Sequence, residues 1–149
     1  MKPSQQSAVL AAAIRWLRTP YRHCAAVHGV GVDCLMLLAC VFHEAGLIPW
    51  IDPRPYPTDW MQHRSDERYL LGLGQHATML PDHELPEPGD IQMMRFGRTM
   101  SHAAIVTQWP EIIHAYQPAG MVTLGSVQEA AFVGRLGPRY RVNPVEVRA

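Results

Sequence analysis

The chain has 149 residues, with 13 Lys and Arg balanced by 13 Asp and Glu, so it has no electrostatic bias toward nucleic acid or an anionic membrane. At 48% hydrophobic and 17% charged residues it has the composition of a soluble globular protein, and no window approaches the roughly 18 uninterrupted apolar residues of a membrane span. The length is that of one domain, 1–149, able to bury a core without metal or disulfide staples; the three Cys, an odd number, read as free thiols.

The N-terminal apolar stretch is interrupted by Arg15 and Arg18, and no cleavage site follows, so the sequence reads as a protein made in the cytoplasm without a signal peptide. Over residues 8–18, Leu10, Ile14 and Leu17 share one face at helical spacing; Ser4 or Ser7 can cap this helix and Thr19-Pro20 stops it. Residues 21–32 are broken by Gly29 and Gly31 and read as a loop. A second helix is predicted from Cys34 to Ala45, with Leu35, Leu38, Ala39 and Phe42 as its stripe, Leu37 and Val41 widening it, and Gly46 just past its end.

Pro49, Pro53, Pro55 and Pro57 then fix an extended, stiff connection, and Thr58 or Ser65 can cap one or two short helices reaching about Leu73. After "LPEPGD" the pattern changes. The runs "IQMMRF", "HAAIVT", "EIIHAY" and "MVTLG" predict an antiparallel meander closed by a strand near "RYRV". Arg135, Arg139, Arg141 and Arg148 read as a solvated last strand and tail. Helices followed by strands make an α+β domain.

The chemistry centres on Asp33-Cys34. Asp33 stands at the N-cap position, where its carboxylate can accept from the first-turn N–H groups, and Cys34 is then the first helical residue. A thiol there feels the positive end of the helix dipole and unsatisfied N–H donors, both of which favour thiolate and make it the expected reactive cysteine ahead of Cys24 and Cys40. A cysteine nucleophile needs a base and a group that orients the base.

Of the eight His, His23, His28, His63, His76 and His83 lie in polar loops or short helices and read as solvent-exposed. His43 lies nine residues beyond Cys34 on the same helix, roughly 13 Å along its axis, too far to reach the sulfur. His102 and His114 instead sit inside predicted strands, where apolar residues are expected. A three-residue loop Gln108-Trp109-Pro110 sets Thr107 opposite Glu111, His102 opposite Tyr116 and Ala104 opposite His114, so that both imidazoles share a face; a two-residue loop would put them on opposite faces.

In this order and spacing, "TPYRH", "GVGVDC", "PGDI", "SHAAIV" and "IIHAY" resemble the NlpC-type papain-like cell-wall cysteine peptidases, from about Thr19 to Tyr116. The stand-alone domain with "GVGVDC" and a Pro-rich insertion is most similar to the branch encoded with phage tail and gene transfer particle genes. The resemblance implies a papain-like fold, with the catalytic Cys at a helix start packed on the β-meander. It implies Cys34 as nucleophile, His102 as general base and acid, and His114 as the group orienting His102. Tyr21 matches the loop tyrosine that helps hold the oxyanion, and Asp33 is grouped with it on the oxyanion and substrate side.

The implied substrate is a peptidoglycan stem peptide, cleaved at the bond between γ-D-glutamate and the diamino acid; no cofactor, metal or nucleic acid is called for. The implied partners are tail-hub or baseplate proteins of a particle acting at the cell envelope, with Pro49 to Pro57 as either a docking surface or a groove wall beside Cys34.

Two departures stand out. Leu35 and Met36 follow the cysteine where the family has Ser-Gly, and "RHCAAVHG" replaces the usual Trp-Gly-Gly after the loop tyrosine. Three rival functions remain on the sequence. A zinc site could draw on His23, Cys24, His28, Cys34, Cys40 and His43, but the spacings contain no C-x₂-C pair. A structural tail component could have kept the peptidase fold, and an amidase or acyltransferase could use the same triad.

Overall fold

The computed structural model of the chain describes residues 1–56, 75–96 and 99–145, with 99–101 described by their backbone alone. The predicted short helices between Thr58 and Leu73 lie outside the described residues. Among the described residues, no helix is long and apolar enough to cross a membrane.

Helix α1, Pro3–Arg15, starts earlier than predicted, because Pro3 opens the first turn and the Gln5 side chain accepts from the Lys2 N–H at 2.7 Å. Its buried face is Val9, Ala12, Ala13 and Trp16 rather than the expected stripe, and Ile14 is 55% exposed. The two alanines let α1 approach helix α2, Cys34–Glu44, closely. The second helix is buried from Cys34 to Phe42, so it is apolar on nearly every side.

The loop before α2 contains a small antiparallel pair, β1 (Ala26–Val27) with β2 (Gly31–Val32). The main sheet comprises β3 (Ala77–Met79), β4 (Ile91–Phe96), β5 (Thr99–Gln108), β6 (Glu111–Tyr116), β7 (Met121–Ser126) and β8 (Leu136–Val142), in the order β3-β8-β4-β5-β6-β7. The predicted meander is β4 to β7. The last strand crosses back to the far side of β4 instead of continuing it, and it also pairs with β3, a strand the sequence pattern did not single out.

The return of β8 is fixed by charge as well as by backbone pairing. Asp90, from "PGDI", is fully buried and receives Arg141 Nε and Nη2 at 2.9 and 2.8 Å. Arg139 donates to Gln92 at 2.9 Å and lies over the Trp109 ring. These arginines are fixed in the fold, which corrects the expectation of a solvated strand; Arg148 lies outside the described residues. One face of the sheet packs on α2, so the start of that helix lies against β5 and β6.

Candidate active site

Asp33 caps α2 as predicted: its backbone is extended, at φ −105° and ψ 178°, and Oδ1 accepts from the Met36 N–H at 2.9 Å. Its other oxygen accepts from the Cys24 N–H at 2.7 Å and from the Tyr56 hydroxyl. A fully buried carboxylate is thus satisfied by three donors from three segments of the chain. Tyr56 belongs to the Pro-rich stretch, whose described part, 49–56, forms neither helix nor strand and lies against the residues before α2.

Cys34 is only 1% exposed. The backbone N–H groups of Ala103, Cys34 and Leu35 near its sulfur favour thiolate, but burial first and the Asp33 charge second push the thiol pKa well up. The expected thiolate is therefore a thiol in the closed site. A helix terminus contributes about 0.3–2 kcal/mol to an adjacent charge, less than the desolvation of a buried sulfur anion. The contact with Ala103 sets the sulfur beside the residue that follows His102.

His102 and His114 face each other across β5 and β6, with His102 Nε2 2.8 Å from His114 Nδ1, both rings buried. The shared face arises differently from the expectation. Ile105 pairs with Ile113 and Val106 with Ile112, the register of a three-residue loop, yet Gln108 pairs with Glu111 around the two residues Trp109-Pro110. A bulge at Thr107 inserts the extra residue and restores the facing that a two-residue loop alone would have reversed.

Burial, reinforced by His114, pushes the His102 pKa down to about 3; burial pushes His114 down to about 4, partly opposed by the charge of Glu129. Both rings are neutral at pH 7. His114 stacks on Tyr116 with ring centroids 4.8 Å apart, and Phe132 meets its ring edge-on. Phe96 packs edge-on against His102. These rings hold the two imidazoles in place.

A pocket of about 170 Å³ opens on His102, lined by Tyr21, Phe96, Tyr116 and Pro118 among others. The half-buried Tyr21 hydroxyl has its pKa raised, first by burial and further by the nearby Asp33 charge, so it stays a proton donor. Of the remaining histidines, His23, His28, His43 and His83 are exposed and His76 is half-buried; none joins the His102 pair, and His63 lies outside the described residues.

Tyr56, Gly125 and Glu129 escaped the sequence reading. A Cβ built on Gly125 would lie 2.9 Å from Glu129 Oε2 and 3.0 Å from His114 Nε2, so the glycine keeps open the space these two groups share. A Gly inside a strand pattern is the one advance sign of such a close approach. Gly125→Ala is expected to displace the His114 ring, lowering turnover roughly 10- to 100-fold while the protein still unfolds cooperatively; kinetics beside a thermal melt checks this, and unchanged turnover would show that the space is not needed.

No family model and no curated protein matches the sequence. Solved structures do. An NlpC/P60 family protein from Bacillus cereus is similar at TM-score 0.68 and 15% identity, over 93% of this chain and 40% of that one. The peptidoglycan hydrolase RipB from Mycobacterium tuberculosis is similar at TM-score 0.64 and 20% identity, over 97% and 66%. RipD from the same organism, described as a non-catalytic NlpC/p60 domain protein adapted to peptidoglycan binding, is similar at TM-score 0.55 and 12% identity, over 91% and 95%. The chain thus spans about two fifths of the Bacillus cereus protein. Helices α1 and α2 on an antiparallel sheet, with a cysteine opening the buried helix, give this chain the α+β papain-like fold of the NlpC/P60 proteins.

Proposed function

We propose that the protein is a cysteine peptidase acting on peptidoglycan stem peptides, with Cys34 as nucleophile, His102 as base and acid, and His114 as the residue that positions His102. The observation that carries this is the 2.8 Å His102–His114 bond between β5 and β6, with the Cys34 sulfur beside the backbone N–H of Ala103, the residue after His102. Because both partners are neutral at rest, His102 takes the thiol proton as Cys34 attacks the scissile carbonyl, rather than starting from a thiolate–imidazolium pair. The tetrahedral oxyanion is held by the Cys34 N–H at the helix start and by the Tyr21 hydroxyl, while Asp33 fixes the helix cap. His102 then returns the proton to the leaving amine, and water, activated by the same imidazole, hydrolyses the thioester.

Similarity to RipB supports the wall as substrate, and the family resemblance supports the γ-D-glutamyl–diamino acid bond. The Pro-rich segment serves as a groove wall on this reading, since Tyr56 bonds the residue beside Cys34. The resemblance of "GVGVDC" and the Pro-rich insertion to the tail-associated branch supports delivery to the envelope by a phage tail or gene transfer particle, with tail-hub or baseplate proteins as partners.

A second reading, a wall-binding or structural component with little activity, is favoured by one observation: Cys34 is enclosed, and Leu35 and Met36 behind it are buried where the family has small or polar residues. Incubating wild type and Cys34→Ala with purified Gram-negative sacculi separates the two. Peptides with new termini at the stem, released by wild type alone, are expected; release by neither, with sacculus binding kept, would replace the peptidase reading with the second.

A further inference from the structure

Away from the His102 pair, the side chains of His23, Cys24 and Asp33 converge, their ligand atoms all within 4.8 Å of one another. Cys24 Sγ is 3.2 Å from His23 Nε2 and 3.5 Å from the Tyr56 carbonyl oxygen, and that oxygen is 2.9 Å from His23 Nε2. In tetrahedral zinc sites, bond lengths of about 2.0–2.3 Å separate N, S and O ligands by roughly 3.3–3.6 Å. The triangle is therefore close to one face of such a polyhedron, and its tightest edge needs about 0.5 Å of opening.

Asp33 has a different part. Its Oδ2 already accepts from the Cys24 N–H and the Tyr56 hydroxyl, but it also faces His23 Nδ1 at 3.9 Å. That leaves His23 Nε2 directed at the sulfur and the carbonyl, with a carboxylate behind the other ring nitrogen, the usual support of a metal-bound imidazole. Cys24 is one of two non-glycine residues with positive φ among the described residues, at 59°, a conformation that residues with a Cβ adopt rarely. The Cys24–Asp33 bond and an Arg54 Nη1 bond to the Cys24 carbonyl at 3.2 Å hold it there.

We propose that His23 Nε2, Cys24 Sγ and the Tyr56 carbonyl oxygen form a binding site for a zinc-class divalent cation, with Asp33 in the outer sphere and a fourth position open to water. Binding replaces the Cys24 S–H bond by a metal–sulfur bond and releases one proton to solvent, with no change of oxidation state. The ion would tie the loop before α2 to the Pro-rich segment beside the Asp33 cap. The sequence already offers His23 and Cys24 as candidate zinc ligands, but not the third, a main-chain oxygen 32 residues from the cysteine. The proposal stands whether or not Cys34 is catalytic.

The test titrates the full chain, reduced and free of chelator, with Co²⁺ and then Zn²⁺. One equivalent of Co²⁺ is expected to give thiolate-to-cobalt charge-transfer absorption in the near ultraviolet, abolished by Zn²⁺. Cys24→Ser and His23→Ala should each weaken binding about 100-fold or more with unchanged circular dichroism, while Cys34→Ala keeps the band. Absence of the band at one equivalent overturns the site. So does a band that survives Cys24→Ser and disappears in Cys34→Ala, because the thiolate would then be the other cysteine.

Discussion

His102→Ala is expected to remove turnover on sacculi, a loss of roughly 10⁴- to 10⁶-fold, because it deletes the group proposed to take the Cys34 proton. His114→Ala should cost less, about 10- to 100-fold, and mainly in kcat. The difference follows from the tautomer. A neutral His102 carries one N–H; if that proton is on Nε2, bonded to His114 Nδ1 at 2.8 Å, then Nδ1 keeps the lone pair that the mechanism needs. His114 must then accept at Nδ1 and hold its own proton on Nε2, which the negative charge of Glu129 on that side favours. His114→Asn keeps an acceptor for the His102 N–H and should recover part of the loss, whereas a merely space-filling role for His114 predicts no advantage of Asn over Ala. Equal kcat in the two His114 variants would end this account of the pair, and appreciable turnover by His102→Ala would remove His102 as the base.

Several features of this arrangement could be read from the sequence because they are local. Asp33 before an apolar helical run marks a cap, and two His in strand patterns mark a polar pair in an apolar layer. Other features could not, because they depend on tertiary contacts. The Tyr56–Asp33 bond spans 23 residues, and the space shared by Glu129 and His114 is set by β7, so no periodicity signals either.

The hairpin between β5 and β6 shows how a correct register can come from an incorrect loop: counting residues cannot distinguish a three-residue turn from a two-residue turn with a bulge at Thr107. Helical spacing points to Ile14 as core, but the close helix contact is made by Ala12 and Ala13, because small side chains let the two helices approach. The charge state of Cys34 likewise depends on more than its local sequence. The dipole is visible in the helix start, but the burial that outweighs it belongs to the whole fold.

Burial of the histidine pair also makes the protein acid-labile. In the unfolded chain each imidazole titrates near 6.5, whereas in the fold His102 is pushed down to about 3 and His114 to about 4. Above pH 6.5 both states are neutral at these sites and stability is fully present. As the pH falls toward 4, the unfolded chain binds protons that the fold refuses, so stability is lost. Each such proton costs about 1.4 kcal/mol per pH unit, and by pH 5 the pair removes roughly 4 kcal/mol from a typical total of about 5–15 kcal/mol. Urea unfolding followed by tryptophan fluorescence between pH 7 and 5 measures the slope directly. His114→Asn removes one of the two groups, so its stability should fall with about one proton's slope less than wild type, whatever its absolute value. Equal slopes in the two proteins would mean that His114 is not held neutral by the fold, and with it the neutral relay that leads from Glu129 through His114 to His102 would fail.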